Sequence, residues 1–188
     1  MVRSRLLAVA LAGAVTLLSA CGTEADEPIT DAQTRWVDAF CGGLLPGIEA
    51  GVELRKLDPA NVTEVKAAYL RLITSNATAF AGAEKKLKEL GAPESELEDV
   101  HERLVRFVSE SSKSYGDAQG PVQALEPDAQ FLEAAEKALA DKNVVSSPED
   151  LRATFQELQK RPKYSDALGR SKPCSEIRSK GQGIGQPQ

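Results

Sequence analysis

Apolar residues recur along most of this chain in steps of three and four. Val37, Phe40, Cys41, Leu44, Ile48 and Val52 keep that spacing, which puts them on one face of a helix with about 3.6 residues per turn. Thr30 and Gln33 ahead of them form a capping box, in which hydroxyl and amide satisfy free backbone donors of the first turn. A first helix is predicted from Asp31 to Lys56, with a kink or local break at Pro46, which has no N–H to donate. Tyr69, Ile73, Asn76, Phe80, Ala83, Leu87 and Leu90 predict a second helix, starting after Asn61 and stopping at Gly91-Ala92-Pro93. A third, from about Glu94, carries Leu97, Val100, Leu104, Phe107, Ser111 and Tyr115, and its acidic first turn complements the helix dipole. Gly116, Gly120, Pro121 and Pro127 predict a loop, followed by a shorter helix with Phe131, Leu132, Ala135 and Leu139. Ser147-Pro148-Glu149-Asp150 combines an N-cap, a first-turn proline and acidic residues, and opens a fifth helix with Leu151, Phe155 and Leu158. No segment shows the strict alternation of a half-buried strand. The fold class is therefore all-α, a bundle of four to five helices over residues 31–178, followed by a Gly- and Gln-rich tail, 179–188, expected to be disordered.

The N-terminal pattern is different. Two bases, Arg3 and Arg5, precede thirteen apolar or small residues from Leu6 to Leu18. A membrane-crossing helix needs about 20, so this run reads as a secretory signal, residues 1–20. Its end, Leu18-Ser19-Ala20-Cys21, resembles the bacterial lipobox. The resemblance implies that Cys21 carries diacylglycerol and becomes the new N-terminus after cleavage. Two acyl chains anchor a protein stably where one binds only marginally, so the expected place is the outer face of the cell membrane. Residues 21–30 are polar and without period, and read as a flexible tether. A plain secreted protein and an uncleaved anchor are the alternatives.

Removing residues 1–20 leaves 21 bases and 28 acids, a side-chain sum of minus 7. Cys41 and Cys174 then remain near opposite ends of the domain in an oxidising compartment, where a disulfide is the economical reading and two free thiols the alternative. Trp36 five residues ahead of Cys41, the helical middle, and the late Pro173-Cys174 with Ile177 loosely resemble the small secreted helical lipoproteins of actinobacteria. That resemblance implies architecture and place; most of those proteins have no assigned activity.

Candidate chemistry thins out on inspection. Glu98 and His101 match one Glu-x-x-His step of a carboxylate-bridged metal site, but such a site needs two steps and His101 is the only histidine. No EF-hand spacing, no Gly-x-Ser-x-Gly elbow and no Ser-x-x-Lys occurs. Gly181-Gln182-Gly183-Ile184-Gly185 has no strand before it and no helix after it, as a dinucleotide turn requires. Asn61 and Asn76 begin glycosylation-type triplets that a bacterial setting makes incidental. A negative domain poor in aromatics argues against nucleic acid. No enzyme activity, metal or cofactor is expected, and a monomer is.

Two features exceed this background. Ala39, Gly43, Gly47 and Gly51 are spaced by four, a stripe without side chains on a helix that each glycine weakens by about 1 kcal/mol. Close approach of another helix is the preferred reading; a pocket at a break near Gly42 to Gly47, or a homodimer contact, are the others. Charge is also uneven. From Gln159 onward seven bases (Lys160, Arg161, Lys163, Arg170, Lys172, Arg178, Lys180) face two acids, whereas residues 21–158 carry 14 bases and 26 acids. The segment is expected to neutralise the acidic bundle; contact with anionic lipid or wall polymer is the alternative. The leading function is a non-catalytic, lipid-anchored module that binds an envelope protein or polymer, and the rival is a small-ligand carrier. A carrier needs an enclosed apolar cavity of a few hundred cubic ångströms, and the place to look for it is the Gly43 to Gly51 stripe.

Overall fold

The computed structural model describes residues 29–142 and 148–182. The expected signal segment, Cys21 and most of the expected tether lie outside the described residues, as do 143–147 and 183–188. The described residues form seven α-helices and no strand. The all-α expectation holds, with more helices than the sequence pattern predicts.

Three long helices make the frame: α1 (Asp31–Leu54), α2 (Val62–Leu90) and α3 (Glu98–Gln123). The start of α1 is set by the predicted capping box. The Thr30 hydroxyl accepts from Gln33 N at 3.2 Å, and Thr30 N donates to Gln33 Oε1 at 2.9 Å. The helix runs unbroken through Pro46. Asn61 caps α2 through Glu64 N at 3.4 Å, and Gly91, at φ 68°, ends it in a conformation that suits a residue without Cβ. A single 3-10 turn, Ser95–Leu97, then leads into α3. Facing pairs such as Gly43 with Ala83 and Gly47 with Asn76 show that α1 and α2 are antiparallel. Ser112 donates to Ala77 O at 2.9 Å, tying α3 to α2.

The expected loop at Gly116, Gly120 and Pro121 is not there, because α3 continues to Gln123. Its apolar period carries on through Ser111, Tyr115, Ala118 and Val122, and the last two are fully buried. That burial outweighs about 1 kcal/mol per internal glycine and one missing proline donor. Helix α4 (Phe131–Ala140) packs on α3, with Phe131 and Ala135 inward; Leu132, expected on the buried stripe, is 38% exposed. Helix α5 (Pro148–Gln159) matches the predicted fifth helix, and its expected cap, Ser147, lies outside the described residues.

Two further helices, α6 (Pro162–Arg170) and α7 (Lys172–Gln182), complete the fold. Each has its proline in the first turn, where no intrahelical donor is lost. Tyr164, Ala167 and Leu168 bury the inner face of α6. Helix α7 reaches Gln182, four residues into the segment that the sequence predicts to be a disordered tail from Ser179. The main core joins Trp36, Phe40, Phe80, Leu87, Leu104, Leu158 and Tyr164 from five helices, and a second cluster of Tyr69, Ile73, Val122 and Phe131 fills the other end.

Candidate functional site

Helix α7 is fastened to α1 by a covalent bond and a polar clasp. Cys41 and Cys174 form the expected disulfide, with Cα atoms 5.1 Å apart across 133 residues of sequence. Beside it the Ser171 hydroxyl donates to Asp38 Oδ1 at 2.6 Å and accepts from Cys174 N at 3.4 Å. The serine thereby caps α7 and docks it on α1 in the same contact.

The small-residue stripe divides into two behaviours. A Cβ on Gly43 would come 2.5 Å from Ala83 Cβ, and one on Gly47 would come 2.7 Å from Asn76 Cγ and closer still to its Oδ1. These two glycines let α2 approach α1, as the close-packing reading expects. Gly51 meets nothing within 4 Å and takes no part in the contact. Asn76, 5% exposed, donates to Leu72 O at 3.0 Å and rests its amide over Gly47. Burial in that notch removes it from consideration as a glycosylation acceptor. The space at Gly43 and Gly47 is thus occupied by α2, so the stripe does not enclose the cavity that a carrier would need there.

Two open grooves mark the described surface. One, about 490 Å³, lies beside the disulfide and is lined by Arg35, Asp38, Ala39, Gly42, Lys86, Glu89, Leu90 and Pro173. The other, about 570 Å³, runs between α2 and α3 past Lys88, His101, Glu102, Val105, Arg106, Ser109 and Glu110. Both mix cations, anions and aliphatic carbon, a lining suited to a polar partner surface more than to an apolar small molecule. Among the described residues no group of three or more His, Cys, Asp and Glu is placed to hold a metal ion.

A part-buried polar cluster reaches the second groove at His101, and the sequence pattern does not reveal it. Trp36 is wholly buried, donates from Nε1 to His101 Nδ1 at 3.0 Å, and meets the Tyr164 ring edge-on at 6.1 Å. Gln33 continues from the capping box to donate to Glu94, which also faces Lys163 at 3.9 Å. The Tyr164 hydroxyl is buried beside Gln33 and Glu94, and burial, then the Glu94 charge, push its pKa up to about 12. Burial holds the His101 imidazole below its ordinary value, against the opposing pull of Glu102 and Glu98. The residue singled out as half of a metal step therefore spends its Nδ1 lone pair on an indole. These partners are separated by 61 to 65 residues of sequence, and periodicity carries no information at that range.

The basic C-terminal segment makes contacts of both local and long range. Arg170 and Lys172 pair within it, with Asp166 at 3.8 Å and Glu176 at 3.9 Å, and Arg161 pairs one turn back with Glu157 of α5 at 3.6 Å. Lys163 reaches Glu94, Lys180 reaches Glu49 of α1 at 3.2 Å, and Arg161 donates to Glu96 O at 3.4 Å. The last three join the segment to the acidic bundle.

No protein-family model, curated protein or solved structure matches the chain. Among the described residues no helix is long and apolar enough to cross a membrane.

Proposed function

We propose that this protein is a lipid-anchored lipoprotein on the outer face of the cell membrane, and that its helical bundle is a non-catalytic module that binds an envelope protein or wall polymer. The observation that carries the reading is the Cys41–Cys174 disulfide. A bridge of this kind belongs to an oxidising compartment, and it sits downstream of a Leu18-Ser19-Ala20-Cys21 sequence that resembles a lipobox. The mixed-charge open grooves add support for a partner surface, and the glycine notch filled by Ala83 and Asn76 favours that reading over a carrier.

The test is metabolic. Bacteria expressing the full chain should incorporate labelled palmitate into it and retain it in the membrane fraction, and Cys21→Ser should abolish both. Label that survives the substitution would overturn the anchor and the location with it.

A further inference from the structure

The chain contains one tryptophan and one histidine, and the fold joins them. Trp36 on α1 donates its indole N–H to His101 Nδ1 on α3 at 3.0 Å, with ring centroids 6.3 Å apart. An imidazole accepts at Nδ1 only while that nitrogen keeps its lone pair, which fixes His101 as the neutral tautomer protonated at Nε2. We propose that this pair is an acid-released latch between α1 and α3: protonation of His101 turns the acceptor into a donor, and the bond to Trp36 opens.

The surroundings make the latch directional. The Trp36 side chain is wholly buried, so an indole N–H that loses His101 has no water to replace it and the ring must shift or stay unsatisfied. The indole also meets Tyr164 of α6 edge-on, and the tyrosine hydroxyl stays neutral throughout the range of imidazole titration. The charged groups around His101 are Glu98, Glu102, Arg106 and Glu110 of α3 and Lys88 of α2. Lys88 is already engaged by Glu84 at 2.6 Å. Glu98 and Glu102 pull the imidazole toward the charged form, while burial resists more strongly. The latch therefore holds at neutral pH and opens below the ordinary imidazole value of about 6.5. Folding stability is complete above that value, falls as pH drops through it, and levels off once the folded-state value is passed. Protonation also adds a positive charge to the wall of the α2–α3 groove, so release of the latch changes the groove that a partner would meet.

The sole tryptophan is its own reporter. The full chain in mild detergent is titrated from pH 7.5 to 4.5 while Trp36 fluorescence and its indole N–H proton resonance are followed, beside His101→Gln, whose amide keeps an acceptor that does not titrate. The wild-type protein is expected to show one transition in both signals with a midpoint below 6.5, and His101→Gln to show none. A flat wild-type titration, a midpoint above 6.5, or the same transition in His101→Gln would each overturn the latch. If His101→Gln fails to fold by circular dichroism, the histidine ring protons of the wild-type protein decide, because they must titrate with the same midpoint as the indole N–H.

Discussion

Four glycines of α1, all within ten residues, give opposite predictions on replacement by alanine. A helix-interior glycine that gains a Cβ in open space gains about 0.4–1 kcal/mol, mostly by restricting the unfolded chain. Gly42 and Gly51 have nothing within 4 Å of the added carbon, so Gly42→Ala and Gly51→Ala should stabilise. At Gly43 the new Cβ lies 2.5 Å from Ala83 Cβ, about 1 Å inside normal carbon contact. Ala83 cannot rotate out of the way, so α1 and α2 must part. Overpacking of that kind costs about 1–3 kcal/mol, which leaves a net loss of up to about 2.5 after the gain from propensity. At Gly47 the obstacle is the Asn76 amide, which can move only by giving up its bond to Leu72 O; a net loss of about 1–3 kcal/mol follows. For a chain of this size each kcal/mol is about 2–4 °C in Tm. Thermal unfolding by circular dichroism should therefore raise Tm by a few degrees for Gly42→Ala and Gly51→Ala, lower it by up to about 10 °C for Gly43→Ala, and lower it by about 2–12 °C for Gly47→Ala. Adding Ala83→Gly to Gly43→Ala should recover most of the loss that the clash causes, a coupling a double-mutant cycle reads directly. A rise in Tm for Gly43→Ala, equal to that for Gly51→Ala, would refute the close approach of the two helices.

The disulfide should matter more than any of these: over a loop this long the chain-entropy model gives about 5 kcal/mol as an upper value, so Cys41→Ser with Cys174→Ser should lower the urea unfolding free energy by about 2–5 kcal/mol. A change below about 1 kcal/mol would mean that the clasp of Ser171 on Asp38 holds α7 without help. For the basic segment, Lys163→Glu with Lys180→Glu sets like charges against Glu94 and Glu49; because these pairs are partly exposed, the expected loss is at most about 1 kcal/mol at low salt and vanishes at high salt. The same segment should leave anionic vesicles unbound when the domain is made without residues 1–21, and salt-sensitive sedimentation with such vesicles would instead favour a lipid-facing role.

What the sequence reveals follows the range of the interactions involved. Capping residues act within one turn, so the start of α1 at Thr30 and both limits of α2 at Asn61 and Gly91 are readable directly. Gly116, Gly120 and Pro121 carry local signals of a break, and the tertiary burial of Ala118 and Val122 overrides them. Helices α6 and α7 are short, with few inward apolar positions each, and their prolines look like terminators until the first-turn placement is seen. The spacing of Gly43, Gly47 and Gly51 suggests a contact, but only the path of α2 shows that the third glycine is left out. The meeting of Trp36 with His101 has no local signature; that each residue occurs once is the nearest thing to a hint.

The bond between Cys41 and Cys174 turns residues 41–174 into a closed covalent ring. A protease that cuts this ring once, at any exposed peptide between its ends, produces two pieces that still cannot separate. The damaged molecule loses no residue, gains only the water of hydrolysis, and stays attached to whatever holds its N-terminus. Loss of material takes either a second cut or a reductant. On a gel, a nicked molecule of this kind runs as one species without thiol and as two with it.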